Sequence, residues 1–255
     1  MSQWRILGLQ EFPGAFNMAL DEAVADSVRS EESLPTIRFY TWNPSCVSIG
    51  YFQSLEEEVN LRECASQGVD FVRRITGGGA VFHDRSGEIT YSLIAPEPMF
   101  SKDIIASYRE ICGCIINGLG RIGLQAEFKP INDITVGGKK ISGNAQTRRR
   151  GIIHQHGTIL YDLDVRAMFS LLKVSKEKVS DKMVSAVHER VTSVRHAFRA
   201  LGRDAPSRDG CYNALLEGFT EGKDWDFGRF GGRELSTAKE LEKSKYATRE
   251  WNFMR

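Results

Sequence analysis

Residues 73–84 combine several groups that could do chemistry: two arginines, three consecutive glycines, an apolar run and a final His-Asp pair. The three glycines, residues 77–79, lack Cβ atoms, so their backbone can adopt positive φ and come close to a ligand. Consecutive N–H groups in such a turn can bind an anion, and the guanidinium of Arg74 can pair with a phosphate or carboxylate. A tight turn with surface arginines explains the segment equally well, because a glycine cluster without a defined frame is weak evidence.

A second dense region covers residues 132–145. Its Gly-Gly pair at 137–138 joins two β-prone runs and therefore predicts a hairpin that places Asp133 and Lys140 on neighbouring strands. A lysine held on a strand can supply a fixed positive charge at a phosphoryl or acyl centre, although most strand lysines are simply solvated. Lys139 should point to the opposite face, so it is a natural control for Lys140.

Two other groups of residues are weaker candidates for a functional site. His154 and His156 lie on one face of a predicted strand, but no carboxylate or cysteine cluster accompanies them in the sequence, so a metal site is not favoured. Residues 148–150 are three arginines without interleaved aromatic residues, which favours a solvated turn over a nucleic-acid contact.

These residues must be positioned by a mixture of strands and helices. Alternation of apolar and polar residues predicts strands, and apolar residues at helical spacing predict helices. Turn residues at 42–44 and 84–87 predict two further hairpins. Outside the lysine hairpin, the predicted strands are 4–9, 36–40, 46–50, 69–74, 80–82, 88–95 and 152–160. The predicted helices are 16–28, 101–119, 191–201, 212–219 and 234–245, and Ser101 is the predicted N-cap.

The composition is that of an ordinary globular protein of 255 residues, with 41% hydrophobic and 26% charged residues. A net charge of +1 provides no general attraction to nucleic acids or membranes. Five cysteines without framework spacing indicate reduced thiols. Because the N-terminal residues do not resemble a signal peptide and no apolar run is long enough for a membrane span, we expect a cytoplasmic protein.

Taken together and in order, the motifs resemble those of the lipoate–protein ligases. The resemblance rests on Arg-Arg-x-x-Gly-Gly-Gly-Ala-Val-Phe-His-Asp, Asn-Asp-Ile, Lys-Lys-Ile-Ser-Gly-Asn-Ala and His-Gly-Thr-Ile-Leu, and it extends from residue 16 to the end. It implies an α+β fold with a mixed, largely antiparallel sheet flanked by helices, as in biotin and lipoate ligases and related to class II aminoacyl-tRNA synthetases. It also implies one catalytic domain over residues 1–255, with a helical C-terminal part from about residue 163.

The resemblance implies a two-step reaction. Lipoate and ATP, with Mg²⁺, would form lipoyl-AMP, and the lipoyl group would then pass to a lysine of an acceptor protein. The acceptor would be a lipoyl domain of a 2-oxoacid dehydrogenase or the glycine cleavage H protein. Long members of the family carry a small C-terminal accessory domain, so the resemblance to the split type implies a separate small protein that supplies it.

By the same resemblance, Lys140 would be the catalytic residue, between the lipoate carboxylate and the α-phosphate. Asp133 would help to hold the adenylate, through Mg²⁺, and residues 175–194 would form an adenylate-binding loop. The other expected ATP- and lipoyl-AMP-binding residues are Arg74, Gly77, Gly78, Gly79, Ala80, Val81, Phe82, Gly143, Asn144 and His156.

Two alternatives remain open. The first is an octanoyltransferase of the same fold, which takes octanoyl groups from acyl carrier protein and uses a cysteine nucleophile near the lysine hairpin. Residues 128–133 contain no cysteine, Cys112 and Cys114 fall in a predicted helix, and Cys46 falls on a predicted core strand. The second is a non-catalytic homologue that binds a ligand or a nucleic acid.

Overall fold

The structure is a computed structural model that describes residues 3–173 and 181–255, except for the side chains of 181–184. Within these ranges the strands are β1 (Trp4–Phe12), β2 (Thr36–Trp42), β3 (Cys46–Ile49), β4 (Asp70–Arg73), β5 (Val81–His83), β6 (Glu88–Pro96), β7 (Ala126–Lys129), β8 (Asp133–Val136), β9 (Lys139–Arg149), β10 (Ile152–Leu160) and β11 (Trp225–Phe227).

The helices alternate with these strands and dominate the chain after β10. They are α1 (Gly14–Arg29), α2 (Leu55–Glu58), α3 (Leu61–Gln67), α4 (Ile104–Arg121), α5 (Val165–Leu171), α6 (Asp181–Arg190), α7 (Val194–Ala200), α8 (Arg208–Thr220), α9 (Gly232–Leu241) and α10 (Arg249–Asn252). A 3₁₀ turn (Glu97–Met99) follows β6, and a π-helical segment (Glu242–Tyr246) continues α9. None of the helices that the structure describes combines the length and the apolar composition that crossing a bilayer requires.

The strands form two sheets. The large sheet has the order β11-β1-β2-β6-β10-β9-β8-β7. It is parallel from β11 to β2 and antiparallel from β2 to β7. The small sheet has the order β4-β3-β5, with one parallel and one antiparallel pair. The mixed, largely antiparallel arrangement agrees with the predicted fold class.

Helices cover both faces of the large sheet, because neighbouring residues of its central strands point to opposite sides. Phe39 packs with Tyr212 and Phe219 of α8, whereas Tyr40 belongs to the apolar cluster that contains α1. Helices α4 and α8 approach closely, since a Cβ on Gly218 would lie 2.4 Å from a carbonyl oxygen of α4. Of the apolar stripe that helical spacing predicts for α4, Tyr108, Ile111, Ile115 and Leu119 are buried, whereas Ile104 in the first turn is exposed. Asp103 rather than Ser101 caps the helix, accepting a hydrogen bond from the amide of Ala106.

Two of the predicted hairpins are wrong. Strand β2 lies in the large sheet and β3 in the small sheet, so the turn at 42–44 carries the chain from one sheet to the other. The turn at 84–87 likewise connects β5 of the small sheet to β6 of the large sheet. Local alternation predicts that a segment is a strand, but it does not specify the neighbour with which that strand pairs.

The hairpin that carries the lysine is confirmed. Gly137 and Gly138 have φ of 57° and 76°, and they join β8 to β9. Two consecutive residues with positive φ are the signature of the two-residue turn whose twist matches that of paired strands. The local sequence therefore suffices to place Asp133 and Lys140 on adjacent strands.

Candidate functional site

A cavity of about 340 Å³ opens where the small sheet faces the large sheet. This volume falls in the range of small-molecule pockets, which is about 300–1,000 Å³. Helix α1, strands of both sheets and the glycine segment at 78–79 contribute to its wall. Its apolar lining residues are Met18, Tyr40, Trp42, Ala80, Val81, Phe82, Ala145, Leu160, Leu163, Met168, Leu172 and Val191.

Lys140 lies on the wall of this cavity with its ammonium 2.7 Å from a carboxylate oxygen of Asp133. The lysine side chain crosses Gly143, where a Cβ would lie 2.9 Å from both Cε and Nζ of the lysine. Its side chain is 42% exposed, so the charge remains available to a ligand. Lys139 points elsewhere, and its ammonium donates to the carbonyl of His188 at 2.6 Å.

The end of the predicted adenylate-binding loop is attached to the lysine strand. The amide of Thr192 donates to the carbonyl of Lys140 at 2.8 Å, and Val191 lines the cavity. Residues 174–180 lie outside the described part of the chain, so the first six residues of that predicted loop, 175–180, are not placed. The attached end nevertheless forms one wall beside the ammonium group.

Arg74 faces the interior. One terminal nitrogen donates to the carbonyl and the hydroxyl of Ser48 at 3.2 and 3.0 Å, and the other donates to the carbonyls of Gly77 and Gly79 at 3.0 and 2.8 Å. Burial lowers the pKa of Arg74 to about 10, so the guanidinium is protonated at neutral pH. These contacts hold the glycine segment in place, and the predicted contact of Arg74 with a phosphate stays a prediction.

The other predicted binding residues gather around the same cavity, with two exceptions. Gly77 and Asp133 are absent from the cavity lining that the described residues form, although each contacts a residue of that lining. The residues of the predicted set that line the cavity are Arg74, Gly78, Gly79, Ala80, Val81, Phe82, Lys140, Gly143, Asn144 and His156.

Asn144 and His156 are held by buried hydrogen bonds. The Asn144 amide oxygen accepts from the hydroxyl of Tyr91 at 2.8 Å, and Nε2 of His156 lies 2.7 Å from the hydroxyl of Thr76. Burial lowers the pKa of His156 to about 4, so its ring is neutral at pH 7. A neutral ring can accept the hydroxyl proton of Thr76, which joins β10 to the start of the glycine segment.

A buried charged cluster lies beside the cavity, between α1 and the sheet. Arg38 donates to Asp21 at 2.9 Å, and His154 lies 3.3 Å from the second carboxylate oxygen. Burial acts to raise the pKa of Asp21, but the charge of Arg38 and hydrogen bonds from His154 and His156 outweigh it and hold that pKa well below the ordinary value.

Asp21, His154 and His156 form the one group within the described ranges whose donor atoms are close enough to share a metal ion. The sequence did not indicate this carboxylate neighbour, which comes from a distant helix. The guanidinium already bonded to Asp21 supplies the positive charge that a metal would bring, so the cluster is better explained as a buried ion pair. Asp133, the predicted Mg²⁺ ligand, is not part of this group.

Three polar residues at the site, Ser48, His83 and Glu88, are absent from the set of binding residues predicted from the sequence. Ser48, on β3, lies with its hydroxyl 2.7 Å from Nε2 of His83, and Nδ1 of His83 lies 2.7 Å from a carboxylate oxygen of Glu88. Ser48 and His83 line the cavity. Of the three, only His83 belongs to a recognisable motif, as the first member of the His-Asp pair. A serine on a strand and a glutamate after a turn are too common in sequences to indicate a functional site.

No cysteine is among the cavity-lining residues that the structure describes. Burial raises the pKa of all five thiols. It brings the pKa of Cys64 to about 11 and those of Cys112 and Cys211 to about 12. The thiols are therefore protonated at neutral pH, and a protonated buried thiol is a poor nucleophile.

The two sheets, the glycine segment and the lysine hairpin define a protein of the lipoate-attachment class. The chain belongs to the family of the lipoyl protein ligase A/B catalytic domain, whose model matches residues 13–220. This confirms the family indicated by the sequence motifs.

Curated relatives match along their whole length. The octanoyltransferase LipM of Brevibacillus brevis is 35% identical, with 100% of each chain covered. The octanoyltransferase LipM of Kyrpidia tusciae is 37% identical, with 99% of each chain covered.

Solved structures of similar fold include lipoate–protein ligases. The bipartite lipoate–protein ligase of Thermoplasma acidophilum, studied with its E2 lipoyl domain, has a TM-score of 0.84 at 35% identity. The match covers 99% of this chain and 97% of the T. acidophilum chain. A second T. acidophilum structure, with bound lipoic acid, has a TM-score of 0.80 at 32% identity. The match covers 98% of this chain and 99% of the T. acidophilum chain. A lipoate–protein ligase A bound with ATP has a TM-score of 0.82 at 32% identity and covers 98% of both chains.

The main prediction from the sequence, that this protein is an ATP-dependent lipoate–protein ligase, is wrong. Eight curated relatives, 34–37% identical over 98–100% of this chain, are octanoyltransferases. They favour the alternative named from the sequence, a transferase on the same fold. The physical reason for the error is that the quoted motifs describe a pocket for an activated acyl group, and such a pocket serves either reaction.

Proposed function

We propose that this protein is an acyltransferase that moves an octanoyl group from the thioester of acyl carrier protein to a lysine of a lipoyl domain or of glycine cleavage H protein. The observation that carries the proposal is the full-length similarity to octanoyltransferases. The cavity supports it, because one pocket combines an apolar lining for an acyl chain with the cation of Lys140.

The reaction exchanges one acyl bond for another. The thioester C–S bond breaks, an amide C–N bond forms, and the proton lost by the acceptor amine ends on the departing thiol. Each addition to the carbonyl develops negative charge on oxygen, so the site needs a fixed positive group near that oxygen. The ammonium of Lys140 is proposed for this role, with Asp133 fixing its position through the 2.7 Å ion pair.

The glycine segment and the buried polar residues are proposed to shape the pocket. Arg74 fixes the carbonyls of Gly77 and Gly79, and His156 fixes Thr76. These contacts hold the glycine segment in one backbone conformation, in which it would lie against the bound acyl group. The proposed acceptor is supported by the solved relative from T. acidophilum, which was studied with an E2 lipoyl domain.

The test is a transfer reaction with defined components. The purified protein is mixed with octanoyl-acyl carrier protein and an unmodified lipoyl domain, without nucleotide, and the lipoyl domain is analysed by mass spectrometry. We expect an octanoyl adduct on its target lysine, and no adduct on a lipoyl domain whose target lysine is replaced by arginine. Absence of product from the carrier-bound donor, with the protein folded, would refute the proposal.

A further inference from the structure

We propose that Arg73 is a positioning residue for acyl transfer, because its buried guanidinium ties the glycine segment of the cavity wall to the C-terminal helix α10. The inference rests on the proposed acyltransferase function and applies however the acyl group is carried between donor and acceptor. Arg73 is the first member of the Arg-Arg pair in the sequence motif. It belongs neither to the predicted binding set nor to the cavity lining that the described residues form.

Arg73 is a fully buried cation at the end of β4. Its guanidinium makes five hydrogen bonds, and every acceptor is a backbone carbonyl oxygen. Within the described part of the chain, carbonyl dipoles rather than a carboxylate therefore balance its charge. A buried charge is unfavourable unless it is hydrogen-bonded, so the position of Arg73 is explained by the segments that it joins.

The first of these segments is the loop at residues 50–53, which follows β3. Nη1 of Arg73 donates to the carbonyls of Gly50, Tyr51 and Gln53 at 3.2, 2.9 and 2.6 Å. The loop is also closed on itself, because the amide of Gly50 donates to the side-chain oxygen of Gln53 at 2.9 Å. Three carbonyl dipoles that point at one place repel each other unless a cation lies between them, so this conformation depends on the guanidinium.

The 50–53 loop lies directly against the glycine segment. The amide of Tyr51 donates to the carbonyl of Thr76 at 2.9 Å, and a Cβ on Gly50 would lie 2.0 Å from the carbonyl oxygen of Gly78. Gly78 lines the cavity together with Lys140. A displacement of the loop would therefore move the cavity wall that faces the acyl group.

The second segment is helix α10. Nε of Arg73 donates to the carbonyl of Trp251 at 3.0 Å, and Nη2 donates to that of Asn252 at 2.8 Å. The backbone of Arg73 adds two contacts, since its amide donates to Oδ1 of Asn252 at 2.7 Å and its carbonyl accepts from the indole of Trp251 at 2.8 Å. The planar fork of a guanidinium can bridge two segments in this way, whereas the ammonium of a lysine is a single point of charge.

The two arginines of the motif hold the glycine segment in different ways. Arg74 bonds directly to the carbonyls of Gly77 and Gly79, and Arg73 fixes the loop that lies against Gly78. A misplacement of about 1 Å at a reacting group can lower a rate by about a hundredfold. Loss of the Arg73 bridge should therefore appear in the rate of transfer even when the protein remains folded.

The primary variant is Arg73→Lys, which keeps the charge and removes the fork. In octanoyl transfer to a lipoyl domain we expect kcat to fall by about tenfold or more, with the KM for octanoyl-acyl carrier protein within a few-fold of wild type. Arg5→Lys is the matched control, because Arg5 also joins distant segments, through Glu234 and the carbonyl of Arg229, but does not line the described cavity. It should transfer at nearly the wild-type rate.

Amide hydrogen exchange, followed by mass spectrometry, supplies a readout that needs no activity. In Arg73→Lys we expect faster exchange in peptides that cover residues 50–53 and 75–80, and unchanged exchange in β10 (Ile152–Leu160), which reports general stability. Arg5→Lys should leave the exchange of residues 50–53 and 75–80 as in wild type. A general loss of stability would instead raise exchange throughout the sheet.

Asn252→Ala tests the same link from α10, and it also serves if Arg73→Lys does not fold. The change removes the oxygen that accepts from the amide of Arg73, so exchange at residues 75–80 should rise and kcat should fall. If both residues act through one bridge, the double variant should be little slower than the slower single variant. Losses that multiply in the double variant would contradict the link between α10 and the glycine segment.

The outcomes separate this inference from the proposed function. A folded Arg73→Lys protein with wild-type kcat, or with a lower kcat and unchanged exchange at residues 75–80, would overturn the positioning role and leave the acyltransferase function intact. If wild-type protein transfers nothing, the proposed function fails and the exchange measurement decides alone. Faster exchange at residues 75–80 in Arg73→Lys would then support the bridge, and unchanged exchange would overturn it.

Discussion

Lys140→Ala is the most informative single change at the proposed oxyanion position. The variant removes the ammonium that lies on the cavity wall and leaves the carboxylate of Asp133 without its partner. Both side chains of this ion pair are substantially exposed, at 42% and 32%. The carboxylate can therefore be solvated in the variant, and the protein should fold normally.

The magnitudes follow from that exposure. A solvent-exposed ion pair contributes about 0–1 kcal/mol to stability, so the midpoint of thermal unfolding should change little. Loss of one preorganised group that stabilises an oxyanion typically lowers kcat by about 10²–10³, which corresponds to about 2.7–4 kcal/mol. A loss of activity much larger than the loss of stability would identify a role in the reaction and not in folding.

The assay is the initial rate of octanoyl transfer to a lipoyl domain, measured by mass spectrometry at several donor concentrations. Lys139→Ala is the matched control, because Lys139 is the adjacent residue and its ammonium bonds to the carbonyl of His188 outside the cavity. It should retain nearly all activity. Equal losses in the two variants, or full activity of Lys140→Ala, would refute the assignment of the lysine hairpin.

Three further predictions concern the frame around the site. Gly50→Ala should lower transfer by about tenfold or more, since its Cβ would lie 2.0 Å from the carbonyl oxygen of Gly78 and must displace the glycine segment; unchanged kinetics would show that the segment tolerates movement. Arg38→Met should reduce the free energy of unfolding by about 3–5 kcal/mol in denaturant titrations, because it removes the guanidinium that balances the buried charge of Asp21, and a loss below 1 kcal/mol would contradict that view of the cluster. His156 has its folded pKa lowered from 6.5 to about 4 by burial, so its neutral form contributes stability that is complete above pH 6.5 and is lost as the pH falls to 4, by about 3 kcal/mol. His156→Gln should flatten the pH dependence of unfolding in that window, and an unaltered slope would disprove the assignment.

Local chemistry explains why parts of the site were predictable. Gly137 and Gly138 have the positive φ values that a two-residue hairpin needs, so the turn places Asp133 and Lys140 on adjacent strands. Lys140 pairs with Thr135 and Asp133 pairs with Gly143, and the long lysine side chain crosses Gly143 to reach the carboxylate. Three glycines next to an arginine similarly indicate an unusual backbone segment. The amphipathic pattern of α4 predicted its buried face from Tyr108 onward, while Ile104 in the first turn is exposed and the cap lies two residues further along the chain.

The sequence motifs do not distinguish ATP-dependent ligation from octanoyl transfer, two reactions that proteins of this fold catalyse. Both reactions concentrate negative charge at one point, in one case as a carboxylate attacks a phosphate and in the other as a thioester carbonyl becomes an oxyanion. A fixed cation and a glycine segment would stabilise that charge in either reaction, and the apolar pocket would hold the same acyl chain. The residues quoted for the family resemblance are therefore common to both interpretations. Similarity over the complete chain, and not any single motif, separated them.

The sequence by itself determined the glycine segment, the lysine hairpin and the family, because turn geometry and residue spacing act over a few neighbouring positions. The tertiary structure alone decided that Arg74 points inward and that Ser48, His83 and Glu88 meet. Those three residues come from strands of two different sheets, and the pairing of distant strands depends on the burial of both faces across the whole domain. No local pattern carries that information, so the hydrogen-bonded serine could be recognised only once the sheets were assembled.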